Sequence, residues 1–165
     1  MPAMWLFKTE PSEYSFERLE KEKRATWDGV SNALALRHLR GVRRGDAILI
    51  YHTGNEKAAV GLARAVSDAC ADPRDRAGKL AVVDIEPERR LPRPVPLAEI
   101  KARRDMAGFD LVRLGRLSVM PVSPERWEAI LEMSQVSGAG PGKGGSRLRR
   151  TPAARGRAPS PRVRS

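Results

Sequence analysis

The 165-residue sequence has a single cysteine, Cys70. An internal disulfide is therefore excluded, and no Cys/His cluster offers a tetrahedral zinc site. No run of about 18 apolar residues occurs, so nothing reads as a membrane-spanning helix. Met1 to Glu10 has no basic stretch followed by a long apolar one, so no secretory signal is expected. A reducing, cytoplasmic setting is the expectation. The usual catalytic signatures are also missing: Gly-x-Ser-x-Gly, a phosphate-binding Gly-x-x-x-x-Gly-Lys loop and His-Glu-x-x-His. His52 with Cys70 is too weak a basis for a base and nucleophile. The chain is expected to be a non-enzymatic monomer that needs no cofactor.

Acidic residues run out at Glu132. The chain carries 31 basic and 20 acidic side chains, net +11, but eight of the basic ones lie between Gly138 and Ser165. Residues 1–137 thus hold 23 basic and 20 acidic groups, a net charge of only +3. Beyond Met133 the texture turns to Gly, Pro, Ser, Ala and Arg. Such a segment cannot bury enough apolar surface to offset its ordering entropy. The expected organisation is one domain over 1–135 and a basic, disordered tail over 136–165. That tail is either a solvated extension or an arm that meets polyanions without sequence preference.

The rest has the means to build a core, since 41% of residues are hydrophobic. Met4–Lys8 is a short apolar run closed by Glu10-Pro11 and predicts a strand. Ser15 is a good N-cap for a helix over 15–22. Residues 25–30 read as a brief extended piece ending at Gly29. Ser31 or Asn32 starts a second helix over 32–40, stopped by Gly41. Ala47–His52 is the clearest strand, and Ala59–Asp68 a second long one. Gly61, Ala63 and Ala65 share one face of that second strand, which predicts close packing or strong curvature there. Residues 71–78 read as a polar loop and 80–86 as a third long strand, with Leu91-Pro92-Arg93-Pro94 breaking the chain. A short helix over 97–103, a strand over 116–122 and a helix opened by Ser123-Pro124-Glu125 complete the domain. Consecutive long strands with short helices between them predict an α+β, mainly antiparallel β-barrel-like fold, not a doubly wound sheet.

Several segments together carry a resemblance. Trp5-Leu6-Phe7-Lys8-Thr9-Glu10-Pro11, Trp27-Asp28-Gly29-Val30-Ser31-Asn32, Tyr51-His52-Thr53-Gly54, Ala59-Val60-Gly61, and Arg116 to Val122 followed by Trp127 resemble, in order and spacing, the consecutive motifs of the EVE domain. That family belongs to the PUA-like superfamily and is similar to the YTH domains, whose Trp-lined cage holds a methylated adenine. Ser31 and Ala33 depart from the usual pattern around the Asn. The resemblance implies a PUA-like fold with a pocket for one base, modified cytosines in DNA being among the ligands proposed for the family. The implied partner is DNA or RNA carrying a modified base. The alternatives are a general RNA-binding PUA-like domain and an enzyme acting on a nucleotide.

Holding a single base takes a π-face, polar groups for its edge and cations for the neighbouring phosphates. The candidate ligand-binding residues are Lys8, Thr9, Trp27, Asp28, Gly29, Val30, Asn32, Tyr51, His52, Arg116, Leu117 and Ser118. Trp27 is the candidate stacking ring, with packing as the competing role. Asp28 would accept from an exocyclic amino group, as acids do from cytosine, or serve as a turn residue. Lys8, Arg37 and Arg116 are candidates for phosphate contacts, although Lys8 also suits an ion pair with Glu10. Trp5 and Trp127 read as core, and His52 as a structural strand-end residue.

Overall fold

A computed structural model describes residues 2–135. The elements run β1 (Met4–Thr9), α1 (Phe16–Glu22), β2 (Ala25–Trp27), α2 (Ala33–Arg40), β3 (Ala47–His52), β4 (Ala58–Ala65), β5 (Cys70–Ala71), β6 (Ala81–Pro96), α3 (Leu97–Ala102), a 3₁₀ turn (Arg104–Met106), α4 (Asp110–Arg113), β7 (Val119–Pro121) and α5 (Pro124–Gln135). The strands form one mixed sheet in the order β2-β6-β4-β3-β1-β7, with β5 added against β6. Only the β1–β3 pair is parallel; the remaining pairs are antiparallel. The sheet curls into a half-barrel with the short helices around it, the α+β, mainly antiparallel architecture that the strand pattern predicts.

Local chemistry accounts for the helix starts. The Ser15 side chain accepts from Arg18 N, and the Asn32 side chain accepts from Ala35 N at 3.0 Å. Each satisfies a backbone donor that the first turn leaves without a helical partner. At the start of α5, Ser123 Oγ accepts from Arg126 N. Trp127 and Ile130 of that helix are buried in the core.

Small residues on β4 let α1 approach the sheet. A Cβ added to Gly61 would lie 2.5 Å from the Phe16 ring, so that ring occupies the space a larger residue would need. Phe16 is 1% exposed. The close packing expected from the Gly61-x-Ala63-x-Ala65 face is realised by this contact.

The strand expected over 80–86 does not stop at the proline cluster. β6 continues to Pro96, and this corrects the expected break at Leu91–Pro94. The register explains it. Ala59 pairs with Val95 while Gly61 pairs with Arg90, so residues 91–94 oppose Val60 alone as an irregularity in the ladder. Pro92 and Pro94 sit inside that bulge, where a missing N–H breaks no regular ladder bond. The strand expected over 59–68 ends at Ala65, and that expected over 116–122 narrows to 119–121. The two-residue β5 and the turns of helix over 104–113 carry too little periodicity to be read in advance. The expected basic tail lies outside the described residues.

Candidate nucleic-acid interface

Where β1, β2 and the entry to α2 converge, they enclose a cavity of about 840 Å³. Its walls come from three stretches of chain: within Lys8 to Tyr14, within Glu22 to Asn32, and Arg116 with Ser118. Lys8 backbone N donates to Ser118 O at 2.9 Å, which stitches the last stretch to β1.

Trp27 closes β2, paired with Val83 of β6. Its ring lies 5.4 Å from Phe7, tilted by 40°, and takes the Tyr14 ring edge-on at 6.0 Å. These contacts fix the indole plane at the cavity wall and leave it 8% exposed. After Trp27 the chain turns through Gly29, whose φ of +78° favours a residue without a Cβ. Asn32 then caps α2. The loop is therefore held at both ends, by a strand and by a helix cap. A third fastening comes from outside it: Arg74 Nη2 donates to Asp28 Oδ2 at 2.5 Å, while Arg74 Nε donates to Asp72 at 3.3 Å.

The rest of the lining is largely polar. Tyr14 Oη donates to Glu22 Oε1 at 2.7 Å, and Arg18 donates to the other carboxylate oxygen at 3.0 Å. The Tyr14 and Arg18 hydrogen bonds hold the Glu22 carboxyl below its ordinary range. Burial, aided by Glu22, pushes the Tyr14 hydroxyl up, so it remains a protonated donor. Thr9 Oγ1 donates to Tyr14 O at 2.7 Å. Lys8 donates to Gly115 O at 2.8 Å, and burial lowers its ammonium below the usual value. Arg24 faces Asp84 and Glu86 at 3.5 and 3.9 Å. Arg116 is different: it is exposed at the cavity and has no acidic partner among the described residues.

Nine of the expected site residues thus meet at one cavity: Lys8, Thr9, Trp27, Asp28, Gly29, Val30, Asn32, Arg116 and Ser118. Tyr51, His52 and Leu117 do not line it. Tyr51 is buried, with its hydroxyl pushed up to about 12 by burial. His52 Nε2 accepts from Phe16 N at 3.0 Å and its Nδ1 faces Glu56 at 2.9 Å, so this imidazole caps α1. Leu117 is a core residue. Asn32 lines the cavity, but its amide oxygen is committed to the α2 cap. The expected Lys8–Glu10 ion pair is absent among the described residues, because Lys8 turns to Gly115.

Sequence reasoning missed Glu13, Tyr14, Glu22, Arg24 and Thr26. Tyr14 sits in a turn with no periodicity to mark it. An aromatic residue just ahead of a capped helix is the only available signal, and it is a weak one.

A curled half-barrel with a cavity at the end of β1 places the chain among PUA-like domains. The EVE domain model matches residues 3–133, and the chain belongs to that family. Zebrafish thymocyte nuclear protein 1 is 30% identical over 166 residues, covering 78% of this chain and 71% of that protein. A Rhodopseudomonas palustris protein solved by NMR is 38% identical, with a TM-score of 0.76 over 80% of this chain and 92% of its own. Human THYN1, solved in complex with 5-methylcytosine-containing DNA, is 25% identical, with a TM-score of 0.75 over 82% of this chain and 99% of its own.

Proposed function

We propose that this chain binds nucleic acid and holds one modified base, a methylated cytosine in DNA, in the Trp27 cavity. The observation that carries this reading is the junction of a fixed indole, an acceptor carboxylate and a guanidinium without an acidic partner among the described residues around one cavity, in a relative of a protein solved with 5-methylcytosine-containing DNA. Trp27 supplies the apolar wall against which a base ring packs. Asp28 accepts from the exocyclic amino group, and the Ser118 hydroxyl meets another base-edge position. Arg116 meets a flanking phosphate. The same reading makes the chain a binding module without catalysis. It fits that His52 is already committed to Phe16 N and Glu56.

A methyl group transferred from water to an apolar wall is worth about 0.8 kcal/mol, or roughly fourfold in affinity. The test is fluorescence anisotropy with the full chain against matched oligonucleotides, single- and double-stranded, DNA and RNA. These carry cytosine, 5-methylcytosine, adenine or N6-methyladenine. The expected result is tightest binding to methylated cytosine in DNA, by about fourfold or more. Equal affinity across the set overturns the base-reading assignment in favour of general binding. Conversion of any oligonucleotide overturns the non-enzymatic one.

A further inference from the structure

Elsewhere on the described surface some cations are matched by acids, while others, such as Arg89, Lys101 and Arg104, are not. Arg18, Lys21, Arg64, Arg90, Arg103 and Arg113 each sit within 4 Å of a carboxylate. The region running away from the cavity along α2 is different. Between Asp28 and Asp46 the sequence contains no acid, yet it contains Arg37, Arg40, Arg43 and Arg44. The neighbouring loop adds Arg76 and Lys79. All six are exposed, and none has an acidic side-chain partner among the described residues.

The two stretches lie side by side. Arg40 donates to Lys79 O, and Ala69 N donates to Val42 O at 3.1 Å. They also converge on the cavity. Asn32, the cap of α2, lines it, and Arg74 of the loop bridges to Asp28 on its rim. The eight residues of α2 span about 12 Å at 1.5 Å per residue, the axial rise of three to four nucleotides in one B-form strand. Cations in a last helical turn also complement the helix dipole, which accounts for Arg37 and Arg40. It does not account for Arg43, Arg44, Arg76 and Lys79, which lie outside the helix.

We propose that the outer face of α2 and the 74–79 loop form a phosphate track that carries the backbone flanking the base in the cavity. The proposal rests on the nucleic-acid reading above, but its energetics are separate: the track supplies sequence-independent affinity and the cavity supplies discrimination.

The test is the slope of log affinity against log salt for the full chain on plain and methylated duplexes. Arg37→Gln/Arg40→Gln/Arg44→Gln is compared with a control of equal charge loss off the track, Arg89→Gln/Lys101→Gln/Arg104→Gln. Each lost duplex contact lowers the slope by about 0.9, so the track variant is expected to lose about 2–3 and the control far less. The ratio of methylated to plain affinity should stay as in the wild type. Arg43→Gln/Arg44→Gln, two side chains without hydrogen bonds among the described residues, guards against a folding defect and should lower the slope by about 1–2. A track slope equal to wild type, or an equal fall in the control, overturns the proposal. If the wild type does not separate methylated from plain DNA, the cavity reading fails and the slopes still decide the track.

Discussion

Trp5 and Trp27 lie at opposite ends of the neighbourhood of β1, and both are more than nine-tenths buried, at 9% and 8% exposure. Their surroundings differ. The Trp5 indole N–H donates to Asp46 Oδ2 at 2.9 Å, and the same carboxylate group accepts from Ala3 N and Arg43 N. Its ring packs against Gly41, where an added Cβ would approach within 3.2 Å. The indole N–H and both oxygens of Asp46 are thus hydrogen-bonded within the protein. At the Trp27 corner the indole N–H has no protein partner among the described residues, and one side of the ring borders the cavity. Burial alone therefore does not separate a core tryptophan from the one proposed for the site. What separates them is whether protein completes the polar and apolar contacts or leaves them for a ligand.

Breaking the Trp5 corner should have the largest effect. Trp5→Ala removes a packed ring and one of the three donors to Asp46, so a loss of about 3–5 kcal/mol in unfolding free energy is expected from urea denaturation. A loss below about 1 kcal/mol would mean that the two corners do not differ as described. Trp27→Ala should act chiefly on binding, weakening oligonucleotide affinity by about 1–3 kcal/mol, the usual worth of one stacked base. Its stability cost should be smaller than that of Trp5→Ala, because the cavity already leaves part of the ring unpacked. Equal affinity with and without the ring removes Trp27 from the site.

Asp28→Asn sharpens the comparison further. It exchanges an acceptor-only group for one that also donates, so the preference among bases should shift more than the overall affinity. An unchanged ranking of bases would confine Asp28 to its bridge with Arg74. The smallest effect concerns pH. The folded Glu22 carboxyl titrates below its unfolded value, so its contribution to stability is present above the ordinary carboxylate range and is lost as pH falls through the depressed folded value. Tyr14→Phe deletes the larger cause of that depression. The variant's melting temperature should therefore fall less steeply than the wild type's between about pH 5 and pH 3. Parallel curves would show that the Tyr14–Glu22 hydrogen bond does not set the titration.

Elements with strong local signals were legible in advance. Ser15 and Asn32 marked their helices because capping is chemistry within four residues. Ala47–His52 marked its strand because it is continuously apolar. The small face of β4 predicted close packing, though not that Phe16 would be the ring to use it. The path of β6 was illegible because proline is read as a breaker, and only the pairing partner reveals that Pro92 and Pro94 fall in a bulge. The same limit applied to the site. The stretch from Trp27 to Asn32 could be proposed as a unit because it is contiguous. Tyr14, Glu22 and Arg24 join it only through the turn around α1, and Arg74 reaches Asp28 across 46 positions of sequence.

The placement of β1 in the sheet bears on how the domain is made. Although β1 comes first in the chain, it lies between β3 and β7, pairing with Ala47–His52 on one side and with Val119–Pro121 on the other. During synthesis it emerges with both edges bare. One edge is covered after some forty further residues, and the other only when the chain has been made almost to the end of the domain. Until then the Trp5-Leu6-Phe7 segment has an open ladder of backbone groups beside a strongly apolar run, the combination that invites pairing with another chain. A nascent chain of this protein is therefore most exposed to misassembly at its first strand, and arrival of β7 ends that exposure.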